Sequence, residues 1–250
     1  MEVHTHAHTA RKKWTHYLWE FLMLFLAVFC GFLAENQREH MVEHEREEKY
    51  AETMVEDLIN DTLELNDDIH LWQEIITYID TVRNEIEKDP SARNPLLLYR
   101  YASLLVTNNN FIYHDRTIGQ LKNAGNFRLI RKKNVADSLI EYDALIWNNL
   151  KDLEERYNLI YFQNREVLQE QIFDTKFYPF RFNKKILDSA AKQEPGIIEI
   201  RKGKADVLFQ YYNSLFALGF QTRVRVRIQK DLLRRASSLI EMIKKEYSIK

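Results

Sequence analysis

The sequence YLWEFLMLFLAVFCGFLA, residues 17–34, is an apolar run long enough to cross a bilayer. At about 1.5 Å per residue, a helix of this length spans roughly 27 Å, close to the ~30 Å thickness of the hydrocarbon layer. Its ten Leu, Phe and Val residues favour insertion by roughly 3 to 6 kcal/mol. Its single charge, Glu20, costs about 2.5 to 3.5 kcal/mol at the bilayer centre and less near an edge. Because Glu20 lies one turn from the N-terminal edge, the run predicts a transmembrane helix.

A cleaved signal peptide is the competing interpretation, since a basic cluster at residues 11–13 precedes the apolar run. Signal peptidase requires small residues around the cleavage site, in an A-x-A-like pattern. Cleavage after Ala34 would put Phe32 where a small residue is needed, and cleavage after Gly31 would put Phe29 there. We therefore expect an uncleaved anchor.

The distribution of basic residues predicts the orientation of this anchor. Residues 11–13 are clustered against its N-terminal edge, whereas Arg38, Arg46 and Lys49 are spread out on the other side. The positive-inside rule then predicts a single-pass protein of the inner (cytoplasmic) membrane, with its large domain outside the cytoplasm. The expected organisation is a short cytoplasmic tail over 1–16, the transmembrane helix over 17–34, a charged helical stalk over 35–50 and a helical bundle domain over 51–250.

One face of the predicted span carries its small and polar residues. At about 100° per residue, the residues of this face lie within about 60° of one another, and we call them the seam. A small-xxx-small pair lets two membrane helices approach closely. Three roles for the seam acid stay open: outward pairing with a neighbouring base, a hydrogen bond between self-associated copies, or proton or ion coupling. The seam comprises His16, Glu20, Ala27, Gly31 and Ala34.

A seven-residue apolar repeat follows the stalk. Residues seven apart share one helical face, so the repeat predicts a long helix whose stripe faces a core or a coiled-coil partner. Asp89-Pro90 predicts its end. The repeat comprises Ala51, Leu58, Leu65, Trp72, Ile79 and Ile86, with Met54, Val55, Ile69, Ile76 and Val82 on the neighbouring row.

Turn residues are scarce, with 6 Gly and 4 Pro, so we expect few and long elements. Residues 223–228 (RVRVRI) alternate like a strand, but helical patterns flank them on both sides and we expect a helix there. The predicted fold is all-α: one N-terminal transmembrane helix continuing into a bundle of three or four long helices. The further predicted helices cover 95–106, 117–124 with Gly125 as stop, Asn134 (as N-cap) to the break at 178–180, 183–192, and Lys204 almost to the C-terminus, with turns at 108–110 and 195–196.

Charge is unevenly distributed, although the net charge is only −1. Residues 35–68 carry 13 acids and 3 bases, and residues 221–250 carry 9 bases and 3 acids. The simplest interpretation pairs the basic last helix with the acidic first one. The alternative is that Lys244, Lys245 and Lys250 contact anionic lipid head groups. The neutral total argues against nucleic acid as a partner.

Histidines suggest metal sites only weakly. His40 and His44 match H-x-x-E-H, whose two histidines lie four apart on a helix, as zinc ligation needs. The match lies on a polar stalk rich in His and Glu, so a solvated face is the simpler interpretation, and we expect neither metal nor cofactor. The alternate histidines of the tail, His4, His6 and His8, leave metal binding there open.

No catalytic signature accompanies these features. The chain has no Gly-rich phosphate loop, no G-x-S-x-G and no C-x-x-C, and its single cysteine, Cys30, falls within the predicted span. We therefore do not expect an enzyme.

The segment 114–133 (HDRTIGQLKNAGNFRLIRKK) is the best predicted interaction surface, because it combines amides, bases and glycines at a helix corner. The alternative is structural: Gly125 ends a helix, and the apolar residues after it fill the core. The surface residues named by the first interpretation are Thr117, Gln120, Asn123 and Arg128.

The chain resembles a bacterial family of single-pass membrane proteins with an N-terminal anchor and a helical extracytoplasmic domain. The resemblance lies in the basic start, the aromatic-Glu entry into one span, the Asn/Gln/Arg/Glu exit, and a pattern over 117–130 (Thr-Ile, Leu, Gly-Asn, Leu-Ile). It implies the topology above and no activity.

These features together predict a membrane-anchored scaffold or protein-interaction module of the bacterial envelope. Its partners would be membrane lipid and either a second copy or another protein. The alternative is a sensory or accessory subunit whose bundle binds a ligand or protein and signals through a cytoplasmic partner, because the short tail has no room for an output domain.

Overall fold

A computed structural model of the chain describes residues 14–105, 109–173 and 200–249, together with Lys185 and Ser189. All regular structure in these residues is helical, and no strand occurs among them, so the fold is all-α. The chain divides into two compact units, Met1–Tyr50 and Ala51–Lys250.

The described chain contains seven α-helices joined by shorter elements. Two π-helices and three short α-helices make the stretch from Lys133 to Ile172 helical throughout. The helices are α1 (Trp14–Glu87), α2 (Pro95–Leu104), α3 (Arg116–Asn123), α4 (Lys133–Leu145), α5 (Asp152–Arg156), α6 (Gln163–Ile172) and α7 (Ala205–Tyr247); the π-helices are Ile146–Lys151 and Tyr157–Phe162, and the 3₁₀ helices are Pro90–Ala92 and Asn126–Leu129.

Within the first unit, α1 carries the apolar run with its side chains exposed. By length and composition α1 is the one described helix able to cross a membrane, and none of its most apolar window is buried by the rest of the protein. Two faces of this run differ in bulk. Phe21, Phe25 and Phe29 stack along one face, with ring centroids 6.3 and 5.9 Å apart. At about 100° per residue, the small seam residues lie on the opposite face.

Within the second unit, the heptad stripe of α1 forms the core, and all six residues of the repeat are buried. Trp72 is the largest of them and packs edge-on against Tyr157, with ring centroids 5.6 Å apart. Burying each of the Leu and Ile side chains of the repeat stabilises the fold by about 1.5–3 kcal/mol. The stripe therefore packs inside the chain, which decides between the core and coiled-coil interpretations in favour of the core.

Most predicted helix limits are confirmed. α1 ends at Glu87 just before Asp89-Pro90, α2 and α3 lie where expected, and α7 begins at Ala205. Gly125 follows α3 with φ +62°, a left-handed conformation that favours glycine, so its predicted role as a stop is confirmed. Residues 223–228 are helical, with Thr222, Arg225, Val226 and Gln229 buried at helical spacing.

Three predictions about the middle of the chain are wrong. Asn134 is not an N-cap: α4 begins at Lys133, and the amide of Asn134 instead bonds Glu246 on α7. The long helix ends at Ile172, before the predicted break at 178–180. The apolar spacing along this helix also predicts Val167 on its core-facing stripe, but Val167 is 52% exposed. The predictions for 178–180, 183–192, 195–196 and Asn108 lie outside the described residues, apart from Lys185 and Ser189.

Candidate functional site

A row of carboxylates lies beside the apolar stripe of α1 and is buried with it. Asp57, Asp61 and Asp68 are four and seven residues apart, which places them on one side of the helix. All three are at most 5% exposed. A buried carboxylate is costly unless hydrogen bonds and opposite charges compensate it, so their partners show what the row does.

The first partners belong to the segment 109–115, which has no regular structure and is called the strap below. The Asp61 carboxylate accepts a bond from the backbone N–H of His114 at 2.9 Å and lies 3.1 Å from its ring Nδ1. The hydroxyl of Tyr142 on α4 donates to the same carboxylate at 3.0 Å. Burial raises the pKa of Asp61 above its usual range, and the bonds from His114 and Tyr142 oppose that rise.

Asp57 fixes the helix that follows the strap. The backbone N–H and the hydroxyl of Thr117 donate to its carboxylate at 2.9 and 2.6 Å, and Arg116 lies 3.0 Å away. Asp115, at the N-cap position of α3, makes no capping bond of its own. A carboxylate from α1 therefore accepts from one of the free N–H groups at the start of α3 and lies at the positive end of its dipole.

Asp68 belongs to a buried ion cluster that joins three parts of the chain. Arg225 of α7 donates to Glu154 of α5 at 2.5 Å and lies 3.8 Å from Asp68, and all three side chains are at most 3% exposed. The guanidinium of Arg225 also lies 4.0 Å from the centre of the Trp72 ring, a cation–π contact. Gln229 donates to Asp68 at 2.9 Å. We call Asp68, Glu154 and Arg225 the ion cluster.

The ion cluster also holds the strap. The backbone N–H of Phe111 donates to Glu154 at 2.8 Å, and Arg225 donates to the carbonyl of Asn109 at 2.6 Å. Lys151 lies 3.1 Å from Glu154 and also donates to the Phe111 carbonyl. The strap thus obtains from side chains the backbone bonds that it lacks as irregular structure.

Burial controls the protonation of this cluster. It raises the pKa of Asp68 to about 6, although the charge of Arg225 acts in the opposite direction. Burial also lowers the pKa of Arg225, against the attraction of Glu154 and Asp68. Glu154 sits on α5 between two π-helices, a local irregularity found frequently at functional sites.

A second buried arginine lies near the first but lacks its partners. Arg165 of α6 is 0% exposed, and its Nη1 donates to the hydroxyl of Tyr157 at 2.9 Å. Its Nε and Nη2 make no hydrogen bond to any described residue. Trp72 Nε1 is another buried donor without a partner.

In the described residues of this network, no set of groups is arranged for catalysis. His114 has the carboxylate partner that orients a general base, but within the described part of the chain no hydroxyl or thiol is bonded to its imidazole. The described contacts of the network are instead bonds that tie the strap and α3 to α1, α5 and α7. Its demonstrated role is therefore positional.

The predicted surface residues are divided by the structure. Gln120, Asn123 and Arg128 are exposed. Thr117 is 1% exposed and bonded to Asp57, so it is part of the interior.

The predicted seam residues Ala27, Gly31 and Ala34 are exposed on α1. A methyl group added at Gly31 would meet nothing within 4 Å, so nothing within the chain requires a glycine there. Glu20 lies 3.2 Å from His16, which is one of the pairings that the sequence left open.

The predicted metal residues are exposed and paired with local acids. His40 lies 4.0 Å from Glu43, and His44 lies 3.6 Å from Glu48. No group of three or more His, Cys, Asp or Glu side chains able to hold a metal ion occurs in the described residues. His4, His6 and His8 lie outside them.

Some basic residues of α7 do pair with acids, but those acids come from several helices. Arg223 lies 3.1 Å from Asp80 of α1, and Arg235 lies 2.8 Å from Glu141 of α4. The role of Lys244 and Lys245 at a lipid surface stays a prediction.

Sequence reasoning missed the ion cluster and Arg165. One sequence pattern could have indicated buried charges: charged residues interrupt apolar helical stripes, at Asp61 and Asp68 in α1 and at Arg225 in α7. Such an interruption predicts a buried partner, but it does not say which residue supplies it.

Comparison with known proteins does not assign the chain to a family. No protein-family profile, no curated protein and no solved structure matches this chain. The resemblance to single-pass membrane proteins accordingly stays a prediction, and the function has to be argued from the residues themselves.

Proposed function

We propose that this chain is a membrane-anchored helical scaffold, a non-enzymatic interaction module of the bacterial envelope that self-associates through its span. The span would place the N-terminal tail in the cytoplasm and the bundle outside it, as the basic cluster at residues 11–13 favours. The resemblance described above supports the same topology.

The observation that carries the proposal is the two-faced apolar part of α1. Phe21, Phe25 and Phe29 form a bulky face suited to lipid, and Ala27 and Gly31 give the opposite face little bulk. In a bilayer, close packing drives helix association, and small residues permit it. An exposed small face opposite an aromatic face is what a self-associating span needs.

The bundle limits where association can occur. Because the heptad stripe of α1 is buried inside the second unit, it offers no apolar seam to another copy. The proposed contact is therefore confined to the span, with Glu20 at its N-terminal end.

Cysteine cross-linking tests the proposal in native membranes. Cys30 is first replaced by Ala, and single cysteines are then placed at Ala27 or Gly31 on the small face and at Phe25 or Phe29 on the opposite face. We expect oxidation to give dimers from the small-face cysteines and not from the matched aromatic-face controls. Equal cross-linking from both faces, or none from either, would contradict association through the seam. Recovery of the protein in the soluble fraction would contradict the anchor itself.

A second candidate function, a sensory subunit, is favoured by the ion cluster, which ties α1 to α5 and α7 through buried charges. Two packed states of such a cluster would shift α1, which also carries the span. The test is to add Glu154→Gln to the Ala27 cysteine variant. A changed cross-linking rate supports signalling along α1, and an unchanged rate in a folded protein supports a passive anchor. An ion-coupled accessory subunit would instead lose its coupling, but not its assembly, with Glu20→Gln.

A further inference from the structure

The guanidinium of Arg165 is a buried charge with most of its donors unused. The side chain is 0% exposed, and its one hydrogen bond is from Nη1 to the hydroxyl of Tyr157 at 2.9 Å. Its cation also lies 4.8 Å from the centre of the Tyr157 ring. Nε and Nη2 have no acceptor among the residues that the structure describes. Burying a guanidinium is unfavourable unless an opposite charge and hydrogen-bond acceptors compensate it.

Arg225 in the same core also leaves two donors, Nε and Nη1, without an acceptor among the described residues, but its charge is compensated. It has two carboxylates within ion-pair distance, Glu154 at 2.5 Å and Asp68 at 3.8 Å. Those charges are already matched, since Lys151 also contacts Glu154. Among the described residues, no carboxylate forms an ion pair with Arg165. Within the part of the chain that the structure describes, the positive charge of Arg165 is therefore uncompensated.

The unused donors have a definite geometry. Nε–H and Nη2–H point the same way from one edge of the planar guanidinium, and that edge matches the two oxygens of a carboxylate. Arg38 uses this same edge on Glu35, with Nε and Nη2 at 2.9 and 2.5 Å from its two oxygens. The free edge of Arg165 is thus shaped for a planar bidentate oxyanion more than for a spherical ion.

The neighbouring groups add donors rather than acceptors. The hydroxyl of Tyr157 accepts from Arg165, which leaves its own proton available. The Tyr211 hydroxyl accepts a bond from Gln169 at 3.1 Å, and burial raises the pKa of Tyr211 to about 12, so this hydroxyl keeps its proton. Trp72 Nε1, whose ring meets Tyr157 edge-on, also lacks an acceptor in the described part of the chain. Such surroundings favour an anion over a cation or a neutral ligand.

We propose that the bundle binds a small monocarboxylate between α6, α7 and the second π-helix, with its two oxygens on the Nε–Nη2 edge of Arg165. This goes beyond the scaffold function and does not depend on the span or on self-association. Carboxylate binding and cross-linking can therefore fail independently of each other.

Thermal unfolding of the full-length protein in detergent tests the proposal, with sodium formate and sodium acetate as probes. Sodium chloride at equal ionic strength is the comparison. We expect the melting temperature of the wild type to rise saturably with either carboxylate, and calorimetry to show one site per chain. Arg165→Met should abolish this rise, and Arg165→Lys should weaken binding by more than about tenfold, because lysine lacks the planar fork. Arg223→Met, at an exposed arginine of α7, is the matched control, and its melting temperature should rise with carboxylate as that of the wild type does.

The sign of the Arg165→Met effect separates a binding site from a structural residue. In chloride buffer the variant should melt at or above the wild-type temperature, because it removes an uncompensated charge. In saturating acetate the melting temperature of the wild type should rise relative to that of the variant. A variant that is destabilised equally in both buffers would show that Arg165 is satisfied within the chain, which overturns the proposal. An equal response of the wild type to chloride overturns the carboxylate assignment.

Discussion

The ion cluster gives the sharpest prediction about stability. Glu154→Gln keeps the shape of the side chain and an oxygen for the Phe111 N–H, but removes the charge that faces Arg225 at 2.5 Å and Lys151 at 3.1 Å. Removing one partner of a buried pair costs about 3–5 kcal/mol. Domains have a free energy of unfolding of about 5–15 kcal/mol, so this is a large fraction of the total. For a chain of this size the melting temperature should fall by roughly 6–20 °C.

A double-mutant cycle separates the pair from general damage. Glu154→Gln and Arg225→Met are measured singly and together in the full-length protein. The double variant removes both charges of the 2.5 Å contact, although Lys151 and Asp68 keep theirs. We therefore expect it to be less destabilised than the sum of the single variants by at least ~1.5 kcal/mol. Tryptophan fluorescence is a suitable readout, since Trp72 lies 4.0 Å from the Arg225 guanidinium.

An exposed pair supplies the control for this cycle. Asp80 and Arg223 lie 3.1 Å apart with side chains 43% and 50% exposed. Such pairs contribute about 0–1 kcal/mol. Strictly additive effects at Glu154 and Arg225, or a coupling no larger than at the exposed pair, would refute the reasoning from burial.

Three further predictions concern pH, a turn and a cap. Burial raises the pKa of Asp68 from 3.8 to about 6, so the folded state binds this proton more tightly than the unfolded chain. The free energy of unfolding should therefore rise by roughly 3 kcal/mol at most as the pH falls from about 7 to 4. Asp68→Asn should remove this increase when the free energy of unfolding in urea is measured against pH. Gly125→Ala should cost about 1 kcal/mol, because φ is +62° while the added methyl meets no atom within 4 Å; a neutral result in denaturant melts would contradict the strain argument. Asp57→Ala should cost about 1–3 kcal/mol by leaving the Thr117 N–H and hydroxyl without an acceptor, and hydrogen exchange should speed up in α3 before it does in α7.

The helices were predictable because their evidence is local. The heptad from Ala51 to Ile86 fixes a buried face by spacing alone, and Gly125 marks the end of α3 through its own backbone freedom. The helical state of 223–228 also followed from the flanking pattern. The prediction of Asn134 as an N-cap was wrong because the preference of a residue for a cap position is weak beside tertiary contacts. The Asn134 amide bonds Glu246 instead.

The candidate sites were less predictable because their residues meet only in the folded chain. Glu154 and Arg225 are 71 residues apart, and no spacing rule connects them. Arg165 reads as one more polar residue of an amphipathic helix, and only its burial shows otherwise. Thr117 was singled out as a surface residue, yet its hydroxyl and N–H are turned to Asp57 in the interior.

The most direct test of the central claim, self-association of an anchored chain through its small face, is the mass of the detergent-solubilised full-length protein by light scattering. The wild type should have the mass of a defined oligomer. Gly31→Leu should reduce it to that of a monomer, since the bulk blocks close approach, and Phe29→Leu on the opposite face should leave it unchanged. A monomeric wild type, or an oligomer that Gly31→Leu does not disturb, would contradict the account.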